Sequence, residues 1–220
     1  MRVFSLRRCA HWPAALVVML AGRAVLGQGE PGLDSATAAA IAPIIEQARA
    51  AKLPTAPLYA KAREGQVQRV PSPRIEAAVR ALADRMRAAN EALAPDASDQ
   101  ELNAAAEAIK NGVGHETLVA MRKAGGDGSL AVPLGVLTSL IIRGVPVEKA
   151  SMQVVNLLQH GAVGSNFIAL DESVRQDVAA GRRPDESLDL RLKGIIPNLP
   201  QSAPADAAGL NNASTPKRPR

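Results

Sequence analysis

The stretch Gly144-Val145-Pro146-Val147-Glu148 decides the fold of this 220-residue chain. Glycine adopts the left-handed conformation that ends a helix, and proline fits the start of the next helix, where no N–H partner is needed. An acid in the first turn suits the helix dipole. The stretch therefore predicts a tight corner between two helices. Gly112-Val113-Gly114-His115-Glu116 matches it position for position, and Gly181-Arg182-Arg183-Pro184-Asp185-Glu186 is the same corner with one extra residue.

A looser version of this corner is Gly65 followed by Val70-Pro71-Ser72-Pro73. The four corner glycines are separated by 47, 32 and 37 residues, so the hairpins that they mark look like degenerate repeats. Because the spacing is irregular, an extended, regular solenoid is disfavoured. The sequence predicts an all-α fold, a compact bundle of stacked helical hairpins.

Helical periodicity fills the chain between the corners. One apolar row follows the 4-3-4-3-4 spacing of a face that packs on a neighbouring helix: Ile75, Val79, Leu82, Met86, Ala89 and Leu93. Ser98 and Glu101 have the spacing of a capping box at the start of the next helix. Residues 132–142 are apolar nearly all round, which predicts a buried central helix. A short last helix is predicted from Asp185 to about Lys193, with Gly194 as its stop.

The N-terminus reads as a cleavable secretory signal over residues 1–27. Arg2, Arg7 and Arg8 form a basic start, the run 13–22 is apolar, and small residues close the segment. Cleavage is predicted after Gly27, or alternatively after Ala24. The apolar run is shorter than the roughly 20 residues of a transmembrane helix, and no later segment reaches that length. We therefore expect an exported protein, periplasmic or secreted, with no transmembrane segment in the mature chain; an uncleaved anchor is the alternative.

Removal of this signal changes what the composition implies. The formal net charge is +5, but residues 1–27 hold four of the 26 basic residues and no acid, so the mature chain is at +1. Cys9 and Trp12 leave with the signal, which excludes disulfides and thiolate metal sites. Tyr59 and Phe167 are the aromatic residues that remain, too few for base or sugar stacking. A nearly neutral, exported domain does not indicate nucleic-acid binding.

The composition divides the chain into further segments. Residues 28–42 are rich in Gly and Ala and are interpreted as a loose lead-in, and 43–195 form the helical domain. Residues 196–220 are rich in Pro, Asn and Ala and predict a disordered tail, which ends in Lys217-Arg218-Pro219-Arg220. Within the domain, Gly125-Gly126-Asp127-Gly128-Ser129 is predicted to be a flexible joint, with Ser129 capping the buried helix.

No catalytic, cofactor-binding or metal-ligating residue is predicted. His115-Glu116 begins like the zinc-protease motif H-E-x-x-H, but Val119 stands where the second His is required, and His160 is the one other histidine of the mature chain. Both histidines are interpreted as helix-end residues. Ser165 lacks the second glycine of a nucleophile elbow and reads as a helix cap. The glycine-rich joint has no phosphate-binding motif.

Acidic residues keep one enzymatic alternative open. A glycoside hydrolase needs two carboxyl groups at a defined separation. Candidates for such a pair are Asp171, Glu172, Asp177, Asp185 and Glu186. Charges on a solvated helix face are the more common reading of such residues.

Several stretches resemble a group of exported bacterial proteins with no assigned activity. They are Leu53-Pro54-Thr55-Ala56-Pro57-Leu58-Tyr59-Ala60-Lys61-Ala62-Arg63-Glu64-Gly65, Val70-Pro71-Ser72-Pro73-Arg74-Ile75, Ala77-Ala78-Val79-Arg80-Ala81-Leu82, Leu130-Ala131-Val132-Pro133-Leu134 and Arg143-Gly144-Val145-Pro146-Val147. The similarity covers about residues 43–195, and Gln66-Val67-Gln68-Arg69 departs from it. The resemblance implies a bacterial source, a helical domain and an envelope location, and it carries over no cofactor or site residue.

The functional hypothesis is a non-enzymatic, exported helical protein that works by protein–protein contact in the bacterial envelope. Its partner would be another envelope protein or a second copy of itself. Two alternatives stay open: a cell-wall hydrolase that uses acidic residues, and a small-molecule carrier with an apolar cavity between hairpins.

Overall fold

A computed structural model describes residues 32–126 and 128–199, and within these ranges the chain is helical without a strand. The helices are α1 Ser35–Ala50, α2 Ala56–Val67, α3 Ser72–Leu93, α4 Asp99–Lys110, α5 His115–Gly125, α6 Ala131–Ile142, α7 Val147–Gln159, α8 Gly164–Ala179 and α9 Pro184–Ile195. A 3₁₀ turn, Ile196–Asn198, follows α9. The predicted all-α class is confirmed.

The helices stack as hairpins in two layers. Helices α1, α3, α5 and α7 pack successively against one another, and α4, α6 and α8 form the second layer. Within each layer, successive helices that are two steps apart along the chain therefore contact each other, which is how stacked hairpins share one core. The six apolar residues of the row in α3 are all buried between the layers. The predicted stack of hairpins is confirmed.

At three of the predicted corners the glycine has the left-handed backbone conformation that ends a helix. Gly112, Gly144 and Gly181 have φ angles of 94°, 99° and 89°. At the central corner the N–H of Gly144 donates to the carbonyl of Ile141 at 2.9 Å, and the N–H of Val145 donates to that of Leu140 at 3.1 Å. This is the paired hydrogen bonding of a left-handed helix end.

The corner between α2 and α3 differs from the prediction. Gly65 lies inside α2, and Arg69 is the left-handed residue, with φ of 57°. Gly65 has a packing role instead, because a Cβ atom there would lie 2.8 Å from Cγ1 of Ile75 on α3. Lys52 and Gly161, with φ of 55° and 77°, form two further corners of the same kind that the Gly-Pro pattern did not reveal.

Ordered structure begins before the predicted boundary at residue 43. The side chain of Asp34 accepts a hydrogen bond from the N–H of Thr37 at 2.8 Å and so caps α1. Ile41 and Ile44 are buried. The interpretation of residues 28–42 as a loose lead-in is therefore wrong from Asp34 onward, because the cap and the apolar face outweigh the Ala-rich composition.

The domain also extends beyond its predicted end. Gly194 lies within α9 and does not stop it, and Leu199 is buried after the 3₁₀ turn. The predicted tail over 196–220 is thus wrong for its first four residues, since Leu199 is an apolar contact of the core. The signal peptide 1–27, the start of the lead-in and the tail from residue 200 lie outside the described residues. Among the described helices none is long and apolar enough to cross a membrane.

The left-handed corner can be tested by a matched pair of glycine substitutions. We expect Gly144→Ala to lower the free energy of unfolding by about 1–2 kcal/mol, since a Cβ atom is disfavoured at its φ of 99°. The added Cβ meets no atom closer than 4.0 Å, so the effect isolates the backbone conformation. Gly135→Ala, in open space on α6, should instead stabilise by about 0.5–1 kcal/mol. Urea unfolding followed by circular dichroism measures both, and equal changes would contradict the corner geometry.

Candidate functional site

The outward side of α6 is mostly apolar and holds no charged residue of the helix itself. Arg143, which follows α6, donates to the hydroxyl of Ser139 on this side and pairs with Asp171 of α8. Its inward residues, among them Leu134, Leu137 and Leu140, are fully buried. Its outward row is Val132, Gly135, Ser139 and Ile142, and Ile142 is 69% exposed. The prediction of a buried central helix is therefore correct for one side and wrong for the other, because no helix in the described ranges covers the outward row.

The neighbouring helix α8 extends this apolar surface. A Cβ atom on Gly164 would lie 3.8 Å from that of Val132, so the first turn of α8 lies beside the start of α6. Val163 and Ile168 on this side of α8 are 61% and 58% exposed. We call the surface formed by Val132, Gly135, Ile142, Val163 and Ile168 the α6–α8 face. It holds four of the seven large apolar residues that are exposed in the described part of the chain, so apolar exposure is concentrated there.

A cavity of about 500 Å³ lies at the Val132 end of the α6–α8 face. We call it the glycine pocket, because Gly125, Gly126, Gly128, Gly161 and Gly164 line it. Leu130, Pro133 and Leu158 add apolar walls. Its volume lies within the range of small-ligand sites. A pocket beside an exposed apolar surface can accept an apolar anchor side chain or a small apolar molecule.

The wall of this pocket is held in place by a buried carboxylate. Oε1 of Glu101 accepts hydrogen bonds from the N–H of Leu130 at 2.8 Å and from Nη2 of Arg122 at 2.9 Å. Its Oε2 accepts from the N–H and the hydroxyl of Ser98, at 2.9 and 2.8 Å. Glu101 is 4% exposed. One side chain thus joins the starts of α4 and α6 to the end of α5.

The same contacts set the acidity of Glu101. Burial of the carboxyl group raises its pKa, but the hydrogen bonds from Leu130, Ser98 and Arg122 outweigh burial and lower the pKa to about 2. The predicted capping box of Ser98 and Glu101 is confirmed. The hydroxyl of Ser129 accepts a hydrogen bond from the N–H of Ala131, but Leu130 occupies the cap position of α6, so the predicted cap is only partly correct.

Comparison with known proteins identifies no relative. No protein-family model, no curated protein and no solved structure matches this chain.

The two histidines lie at helix ends, far from each other. His115 begins α5, whose start lies beside the start of α7, and His160 follows the last residue of α7. The 13 residues of α7 separate them by about 20 Å. Nδ1 of His160 lies 2.8 Å from the carbonyl oxygen of Asn156. No group of three or more His, Cys, Asp or Glu that could hold a metal ion occurs in residues 32–126 and 128–199.

The candidate acids of the hydrolase alternative are all in ion pairs with arginines. The pairs are Asp171 with Arg143, Glu172 with Arg175, Asp177 with Arg191, and Asp185 and Glu186 with Arg183. Hydrogen bonds from Arg175 hold the pKa of Glu172 at about 2, and those from Arg191 lower the pKa of Asp177. A general acid requires a raised pKa. Asp171 and Asp177 therefore join α8 to its neighbours, and the other three acids form local pairs within or at the start of a helix, so none has the character of a catalytic dyad.

Ser165 lies in the first turn of α8 but is not its cap. The side-chain oxygen of Asn166 accepts from the N–H of Val163 at 2.9 Å, and the structure gives Ser165 no such role. The interpretation of Ser165 as a helix cap is therefore wrong, since the neighbouring amide reaches the free N–H instead.

The sequence did contain a signal for the α6–α8 face. Residues 131–142 hold no charge, and a helix without a polar side is predicted to be buried on all sides. A helix in a two-layer stack has one side that no neighbouring hairpin covers. The exposed row could have been inferred only once this stacking was known.

Proposed function

We propose that this chain is an exported, non-enzymatic bacterial protein that works by protein–protein contact through the α6–α8 face. The observation that supports this proposal is the row of α6 without a charged residue, which ends at the exposed Ile142, together with the exposed Ile168 on the neighbouring helix α8. A concentration of exposed apolar side chains on one side of a protein is typical of an interaction site. Burial of each such side chain in a contact contributes about 1–2 kcal/mol to the free energy of binding. The partner is another envelope protein or a second copy of this chain.

Site-specific photo-crosslinking in the source cell tests this contact. A photoreactive residue at Ile142 or Ile168 should give a discrete adduct, because both side chains would lie within the contact. The matched control is Val67, which is 83% exposed on α2, in a different part of the stack. Adducts that form equally at Val67, or none at either face position, would count against the proposal.

A charge substitution tests the same contact within the crosslinking assay. Ile168→Glu should reduce the adduct formed from Ile142 at least tenfold, since a carboxylate would be desolvated in the apolar contact. The fold should tolerate the change, because Ile168 is 58% exposed. Val67→Glu is the control for added charge. An unchanged adduct yield with Ile168→Glu would place the contact elsewhere.

Export has its own test. Cell fractionation followed by N-terminal sequencing should recover the protein outside the cytoplasm with Gln28 as its first residue, or Val25 if cleavage follows Ala24. A cytoplasmic protein that retains Met1 would overturn the export proposal.

The glycine pocket favours one second candidate, a carrier of a small apolar molecule. Its support is the cavity of about 500 Å³ with walls of Leu130, Pro133 and Leu158. Saturable binding of an apolar fluorescent probe, lost in Gly164→Leu, would support the carrier. Binding that persists in this variant would place the probe elsewhere. The ion pairs of the candidate acids disfavour the hydrolase alternative, for which release of cell-wall fragments by the purified protein is the test.

A further inference from the structure

A second concave surface lies between α5 and α7, in the layer that does not contain the α6–α8 face. This α5–α7 groove has a volume of about 790 Å³. Ala120, Val147 and Val155 contribute apolar lining. Amide side chains follow α7 along the groove, namely Gln153, Asn156 and Gln159. Such a lining offers apolar contact together with donors and acceptors for a polypeptide backbone.

Two carboxylates stand at one end of the groove. Glu116 and Glu148 occupy the first turns of α5 and α7, and both are exposed. The repeated corner sequence places them there, and Val147 lies 3.6 Å from the Cβ position of Gly112, which brings the two helix starts together. Neither glutamate forms an ion pair with any residue of the described ranges. The acids of α8, by contrast, each have an arginine partner.

Ser151 is an independent sign that the groove takes a ligand. It lines the groove on α7 and is 7% exposed, and its hydroxyl, which solvent does not reach, has no hydrogen-bond partner among the described residues. A buried polar group without a partner costs about 1–3 kcal/mol. A bound segment that shifts the atoms covering Ser151 would satisfy this hydroxyl.

We propose that the α5–α7 groove binds the chain's own C-terminal segment, with Lys217-Arg218-Pro219-Arg220 at the carboxylates of Glu116 and Glu148. Charge complementarity supports this occupant. The last four residues carry three bases and no acid, whereas residues 28–216 hold 19 basic and 21 acidic residues. This block of uncompensated bases complements two carboxylates that form no ion pair within the described residues.

The connection is long enough for this contact. Twenty-one residues follow Leu199 and can span up to about 70 Å. The tail leaves from the end of α9, which is bound to α7 through Nζ of Lys149 and Oδ2 of Asp189 at 2.7 Å. The groove is therefore one helix away from the start of the tail. A tether of this length gives a local concentration in the millimolar range, so a weak contact is populated.

Disulfide trapping in the full chain tests the proposal. Cys9→Ser removes the one natural cysteine, so introduced pairs report only the designed contact. We expect Met152→Cys with Thr215→Cys to form an intramolecular disulfide at least tenfold faster than Val67→Cys with Thr215→Cys. Met152 lines the groove, whereas Val67 is exposed on α2. Equal rates, or no disulfide with Met152→Cys, would overturn the proposal.

The charges are tested in the same assay. Glu116→Gln with Glu148→Gln should remove most of the rate advantage, as should 1 M salt, which screens exposed charges. Glu91→Gln, an exposed acid on α3, is the matched control and should leave the rate unchanged. A disulfide-linked dimer in place of the monomer would assign the groove to the tail of a second copy and overturn the intramolecular contact. Each outcome leaves the α6–α8 face untouched, so failure here is distinguishable from failure of the proposed function.

Discussion

Glu101→Gln is expected to lower the free energy of unfolding by about 3 kcal/mol at neutral pH. The substitution leaves the partly buried guanidinium of Arg122 without its counter-charge and weakens the hydrogen bond to the N–H of Leu130. Urea unfolding followed by circular dichroism measures the change. Glu172→Gln is the matched control, because its pair with Arg175 is an exposed pair within one helix, worth less than about 0.5 kcal/mol.

The pKa of Glu101 predicts how this loss depends on pH. Its folded-state pKa is about 2, against an ordinary value of 4.5. A lowered pKa means that the stabilisation is complete above about pH 4.5 and is lost as pH falls toward 2; a difference of this size corresponds to about 3 kcal/mol. We therefore expect the gap between the wild type and Glu101→Gln to shrink as pH falls from 5 to 2.5. The same gap at both pH values would show that the carboxylate charge is not what stabilises the joint.

The second large effect is expected for Leu137→Ala on α6. Leu137 is fully buried, so truncation should lower the free energy of unfolding by about 3–4 kcal/mol through lost burial and a residual cavity. In a domain of this size that corresponds to a fall in Tm of about 10 °C. Ile142→Ala on the same helix should change the stability by about 0.5 kcal/mol or less, because Ile142 is 69% exposed.

This pair of substitutions separates the two sides of α6. Thermal unfolding at several protein concentrations is the measurement, with Leu137→Ala as the internal reference. A loss for Ile142→Ala as large as that for Leu137→Ala, at all concentrations, would mean that the outward row belongs to the core. A loss that appears only at high protein concentration would identify a second copy as the partner on the α6–α8 face.

Local chemistry made much of the fold predictable. The corners at Gly112, Gly144 and Gly181 follow from the left-handed conformation that glycine adopts, which needs no distant partner. The capping box of Ser98 and Glu101 joins residues three positions apart. The row of α3 follows from helical periodicity. Such features depend on neighbours along the chain, so residue type and spacing are sufficient to find them.

The predictions were wrong at positions where a contact with a distant part of the chain outweighs the local amino-acid composition. The Ala-rich segment before residue 43 forms α1 because Ile41 and Ile44 pack against the stack. Gly65 stays helical because α2 and α3 approach closely at Ile75, and Arg69 takes the left-handed position instead. Neither outcome can be read from residues within a few positions of the site.

The corner stretch around Gly144 shows where sequence information ends. Residue type alone determined that a helix stops there and another begins, since the conformation of glycine and the start of the next helix are local properties. Only the tertiary structure decided which side of α6 is exposed, that Glu101 meets Arg122 and Leu130, and that Glu116 and Glu148 share one groove. These contacts join residues 21 to 32 positions apart, and the stacking of hairpins, not any local preference, brings them together.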